Sequence, residues 1–147
     1  MEMIRTLLGV HHRQCDELFA AVEQDIEAAD WKKAAADFVR FRESMQRHFA
    51  AEESILFPAF EARTGMTSGP TAVMRSEHAQ IRELMDAAAA AIEARDADEY
   101  AGYAETTHIM IQQHNMKEEN VLYPMCDQHL AGESAGLVAR MREGIAD

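Results

Sequence analysis

The sequence predicts an all-α fold, an up-and-down four-helix bundle followed by a short C-terminal helix, and three observations predict it. Apolar residues recur at alternating three- and four-residue steps in four long segments, the spacing that lines one face of a helix. Only 7 Gly and 3 Pro occur in 147 residues, too few for a turn-rich β fold. Cap and turn residues fall between the segments rather than within them.

The first stripe is Leu8, His12, Cys15, Phe19, Val22, Ile26. Asp30 before Trp31 is positioned as the N-cap of the second helix, whose stripe is Phe38, Phe41, Met45, His48, Glu52, Ile55. Gly65 to Pro70 (GMTSGP) is a loop, with Pro70 suited to the first turn of a helix. The third stripe follows as Met74, His78, Ile81, Met85, Ala88, Ile92. Asp96 and Glu99 form a capping-box pattern ahead of the fourth stripe, Ala104, Thr107, Ile111, His114, Glu118, Val121, Met125. Pro58 and Pro124 are expected to kink or end their helices, and Gly132 and Gly136 to end the fourth. The domain reading is a single domain over residues 1–147, with the bundle at about 5–130 and an amphipathic tail at 133–147.

Composition narrows function by exclusion. Acidic residues number 26 against 14 basic ones, a formal charge of −12, which argues against nucleic acid and anionic membrane as partners. Two cysteines, Cys15 and Cys126, are too few for a disulfide framework and fit a reducing compartment. No run approaches the ~20 apolar residues of a membrane span, so the expected location is cytoplasmic. The 10 methionines read as packing in helical cores.

The chain repeats itself at an interval of 66 residues. HFAAEESILFP (48–58) aligns with HNMKEENVLYP (114–124), and His12 and Leu18 align with His78 and Leu84. Helices one and two are thus repeated by three and four, implying approximate two-fold symmetry. A His and a Glu four apart on a helix share one face about 6 Å apart along the axis, within reach of one metal or a bridged pair. Four histidines and two glutamates obey the repeat and occupy inward positions: His12, His48, Glu52, His78, His114 and Glu118. Chain length agrees, because 36 residues separate His12 from His48 and His78 from His114, so turns near Asp30, Gly65 and Asp96 return every ligand to one layer.

A lone inward histidine is usually a satisfied core residue. Buried carboxylates without a cation, however, cost several kcal/mol each, roughly, and no Lys or Arg lies on the inward stripes. The six are therefore read as metal ligands. His11 and His108 have no repeat counterpart and are expected to face solvent, while His129-x-x-x-Glu133 reads as a chance pair. Imidazole with carboxylate suits iron, zinc, copper or manganese, and six donors exceed one four-coordinate zinc. Two iron ions with an Fe-O-Fe or hydroxo bridge fit best, with zinc or manganese as the other candidates.

The pattern His12, His48-x-x-x-Glu52, His78, His114-x-x-x-Glu118, with Leu56–Pro58 and Leu122–Pro124 trailing, resembles the hemerythrin-like (HHE cation-binding) family over about residues 5–130. The resemblance implies a non-haem di-iron centre in a four-helix bundle, with dioxygen or nitric oxide as the small ligand. The oxygen-carrying members have a second histidine one turn from the third-helix ligand and an aspartate five residues after the fourth-helix histidine. Here Met74 and Arg82 flank His78, and Glu119 follows His114, so the site is similar to the six-ligand variety. Repair-of-iron-centres proteins share that variety, but their cysteine-bearing N-terminal domain has no counterpart in these residues.

Two carboxylates offset only part of the charge of a ferric pair, which favours reversible diatomic binding or sensing over substrate oxidation. The alternatives are an enzyme of peroxidase or nitric oxide reductase type, or an iron donor. Among the neighbours, Cys15 reads as small core packing or as a thiol approaching the site. Tyr123 reads as packing or as a hydrogen-bonding group, and Phe49, Ile55, Ile81 and Ile111 as pocket walls. Glu53 and Glu119 either orient ligand histidines or lie on the solvated surface.

Overall fold

The computed structural model describes residues 2–146, and among these residues every regular element is helical. Four long helices form the bundle: α1 (Ile4–Glu27), α2 (Trp31–Ala51), α4 (Pro70–Glu93) and α5 (Ala97–Lys117). Helix α1 packs on α2, α2 on α4, α4 on α5 and α5 back on α1. Short helices α3 (Phe57–Thr64) and α6 (Tyr123–His129) extend α2 and α5, and α7 (Ser134–Ile145) is the expected short C-terminal helix.

The turns follow the sequence signals and the repeat. Asp30 accepts a hydrogen bond from the Lys33 amide at 3.1 Å, and Asp96 from the Glu99 amide at 3.0 Å. Ahead of each cap, Ala29 and Arg95 sit in the left-handed region at φ 55° and 54°. Gly65, at φ 73°, closes α3, and Pro70 opens α4. The start of α1 lacks a cap of its own. Asp127 supplies one from the far end of the chain, accepting from the Ile4 and Arg5 amides at 2.8 and 3.2 Å.

Three expectations are corrected. Neither Pro58 nor Pro124 ends its helical segment: each follows a π turn, Glu52–Leu56 and Glu118–Leu122, which passes directly into α3 or α6. A π turn bonds residue i to i+5, and the Phe57 and Tyr123 amides bond to the Glu52 and Glu118 carbonyls. The Glu53 carbonyl, which the imide nitrogen of Pro58 cannot serve, instead accepts from Arg75 at 3.5 Å. Second, the extra residue in each π turn rotates the following inward face. Val121 is 54% exposed and Ile55 half-buried, while Leu56, Phe57, Leu122 and Tyr123 are buried in their place. Third, Gly136 lies inside α7; only Gly132 marks the break before it.

The core has two apolar parts. One, including Phe19, Phe38, Phe41, Met85 and Ile111, fills the end near the Asp-capped turns. The other, including Leu8, Phe57, Phe60, Leu122 and Leu130, fills the opposite end, where Leu137, Val138 and Met141 of α7 cover it. His12, His48, Glu52, His78, His114 and Glu118 are buried with them.

Because Asp127 is the side-chain cap of α1, Asp127→Ala should destabilise the protein by about 1 kcal/mol, with Asp127→Asn nearer wild type. Equal chemical-denaturation midpoints for all three proteins would contradict that role.

Candidate metal centre

The six residues singled out by the repeat converge. His12 comes from α1, His48 from α2, His78 from α4 and His114 from α5, while Glu52 and Glu118 open the two π turns. All are at most 5% exposed, and the two carboxylates are fully buried. Glu118 Oε1 lies 3.1 Å from His12 Nε2 and 3.3 Å from His114 Nε2. By the repeat, Glu52 Oε1 lies 3.1 Å from His78 Nε2 and 3.5 Å from His48 Nε2. Two groups of donor atoms result, each with all atoms within 4.8 Å of one another: Glu52, His78, His114 and Glu118, and His12, His48 and Glu118.

A cation fits this arrangement better than hydrogen bonding does. Glu52 Oε1, His78 Nε2, His114 Nε2 and Glu118 Oε2 are buried without a hydrogen-bond partner, although His78 Nε2 and Glu52 Oε1 are neighbours. Buried polar atoms are nearly always satisfied, and four orphans facing one another are what a ligand set looks like. The donors, imidazole nitrogen and carboxylate oxygen, suit a first-row transition cation.

The outer nitrogens of the same imidazoles are anchored. His78 Nδ1 is 2.7 Å from Glu53, His12 Nδ1 is 2.7 Å from Glu119, and His114 Nδ1 is 2.8 Å from Glu77. Such partners fix the tautomer and aim Nε2 inward. Arg82 grips Glu53 with two hydrogen bonds, at 2.9 and 3.0 Å. Glu53 and Glu119 therefore orient histidines, and both carboxyls titrate below the usual range; burial alone would raise Glu53, but hydrogen bonds from His78 and Arg82 bring it to about 2.

One neighbour differs from expectation, and Tyr123 takes one of its two expected roles. His11 is 3% exposed, not solvent-facing: its Nδ1 lies 2.8 Å from His48 Nδ1 and its Nε2 3.2 Å from Ser44 Oγ. Helix α1 buries a second face against α2, so His11 is enclosed beside its neighbour His12. His108 is exposed as expected, and His129 is exposed too. Tyr123 reaches into the centre, its hydroxyl 2.7 Å from Glu52 Oε2 and 2.8 Å from Glu118 Oε1. The π turn delivers it there, because Tyr123 is the i+5 partner of Glu118. Among the candidate walls, the Phe49 ring stacks on His78 at 3.9 Å. Cys15 is buried, its sulfur 3.3 Å from Ser44 Oγ and 3.9 Å from His11 Nδ1. Met74 is buried and Glu119 lies behind His12, in line with the departures from the oxygen carriers.

Protons on the imidazoles offset the buried carboxylates when no cation does. Burial alone would lower the His12 imidazole, but hydrogen bonds with Glu118 and Glu119 push it up to about 9. His78 is likewise pushed up to about 9 by Glu52 and Glu53 against its burial. Burial would raise the Glu52 carboxyl, yet His48 and its other neighbours hold it well below the ordinary range. Folded values above the ordinary 6.5 mean that the stability from His12 and His78 is complete below about pH 6.5 and is lost as pH rises through about 9. A bound cation replaces those protons. Metal-free protein should accordingly lose stability between about pH 6.5 and 9, whereas zinc-loaded protein keeps it there and loses metal on acidification. Urea midpoints across this range, with and without zinc, check the sign; identical profiles would contradict it.

No helix among the described residues is long and apolar enough to cross a membrane. No curated protein and no solved structure matches the chain. The buried His/Glu cluster marks a metal-binding protein, and the profile of the hemerythrin HHE cation-binding domain matches residues 3–126: the chain belongs to that family.

Proposed function

We propose that His12, His48, Glu52, His78, His114 and Glu118 hold a carboxylate-bridged pair of iron ions, and that the pair binds or senses dioxygen or nitric oxide. The observation that carries this reading is that Glu118 belongs to both groups of converging donors. One carboxylate shared by two donor groups suits two cations better than one. When bound, such a pair supplies reversible coordination of a diatomic molecule and a change of redox state. Two carboxylates against four imidazoles leave a cationic centre, which favours binding over oxidation of an organic substrate.

The chain's own groups shape that site. Phe49 shields the His78 imidazole from water on one side. Tyr123, whose phenol stays protonated because burial raises it well above the ordinary range, lies within reach of both carboxylates and donates its one proton to either Glu52 or Glu118. That proton donor also favours a second reading, an enzyme that turns over peroxide or nitric oxide at the same centre.

Iron-loaded, anaerobically reduced protein should gain a visible charge-transfer band in air and lose it on deoxygenation. Colourless protein that saturates at one zinc would overturn the di-iron reading. In Glu118→Ala, metal content should fall from two equivalents to one or none. Multiple turnovers with peroxide or nitric oxide, lost in Glu118→Ala and slowed in Tyr123→Phe, would favour the enzyme.

A further inference from the structure

The 66-residue repeat extends beyond the ligands to the groups behind them, and it fails there at one place. Glu53 and Glu119 are repeat partners, and each backs a ligand of the opposite half, His78 and His12. His11 and Glu77 also occupy equivalent positions, and each backs the ligand of its own half, His48 and His114. Three ligand imidazoles thus have a carboxylate at Nδ1. The fourth, His48, has an imidazole there, which carries no negative charge in any protonation state relevant to the fold.

A carboxylate behind a metal-bound imidazole makes its inner nitrogen a stronger donor, and losing such a partner typically costs about 10- to 100-fold in metal affinity. The His78–His114 side has two of these partners, and both Glu52 and Glu118 converge on it. The His12–His48 side has one, and its converging donor group includes Glu118 but not Glu52, which approaches His48 Nε2 at 3.5 Å. The two observations are independent and point the same way.

We infer that the two metal positions are unequal: a divalent cation fills the His78–His114 position first, and His11 is the positioning residue that leaves the His12–His48 position weaker. The inference rests on the two-metal reading above. The weaker position also lies near the surface. His11 and Ser44, behind His48, line a groove of about 670 Å³ with Gln14, Glu17 and Arg142, and His12 lines a second one with Glu119.

The test is a titration of metal-free protein with Co(II) against a competing chelator, resolving the first and second equivalents. Glu77→Gln should weaken the first equivalent about tenfold or more. Glu119→Gln should leave the first within about twofold and weaken the second, and His11→Glu should tighten the second about tenfold. A first equivalent weakened by Glu119→Gln as strongly as by Glu77→Gln would overturn the inference. So would a second equivalent that ignores His11→Glu in folded protein. Should either His11→Glu or Glu77→Gln fail to fold, the remaining variants decide by the same criteria. Wild-type protein saturating at one equivalent would instead overturn the two-metal reading itself, separating that failure from this one.

Discussion

Two carboxylates buried at the centre of a helical bundle are the constraint on which the rest of the structure depends. Glu52 and Glu118 have no exposed surface, and each would be expelled or protonated in an apolar core. The fold retains them by surrounding them with four imidazoles and one phenol, all short groups that bring hydrogen or positive charge without a long flexible stem. Each imidazole then needs its own second contact, and most of the buried polar groups around the layer, from Glu53 to Ser44, answer that need. The apolar residues have a simpler task. They close the two ends so that this layer stays dry.

The π turns are the local device that makes the layer possible. In an unbroken α-helix, the face that carries His48 and Glu52 would continue through Ile55, and that of His114 and Glu118 through Val121. Inserting one residue per turn rotates the helix after each glutamate, exposing Val121 and swinging Phe57 and Tyr123 inward. Proline six residues after each glutamate fits this geometry, since Pro58 and Pro124 lack the amide that would continue the bonding pattern. The glutamate opens the π turn, and the proline sits just beyond its close.

Much of this was legible in the sequence. The helices, the Asp30 and Asp96 caps and the six converging residues follow from apolar spacing and the internal repeat, because both record which side of each helix faces inward. Tyr123 was legible only as packing or a hydrogen-bonding group, with no choice between the two, since a constant helical period places Val121 on the inward face and carries no sign of the change to i+5 bonding. His11 was missed for a different reason. Comparison across the repeat asks for identical residues, whereas the position behind a ligand asks only for a group able to hydrogen-bond to Nδ1. Glu77 and His11 both meet that requirement, so a real equivalence looked like a mismatch.

That mismatch bears on how a symmetric fold can serve an asymmetric task. On the two-metal reading proposed above, a repeated pair of helices would build both positions from the same parts, and strict symmetry would make them equal in affinity. Changing a ligand would break the symmetry at the cost of coordination. Changing the residue behind a ligand breaks it more gently, through the basicity of one imidazole, while the inner ligand set stays whole. Helix α1 makes this change inexpensive because His11 adjoins His12 in sequence yet faces α2, where Ser44 satisfies its other nitrogen. The polar group is fully accommodated, so the asymmetry resides in charge alone and leaves the packing of the bundle intact.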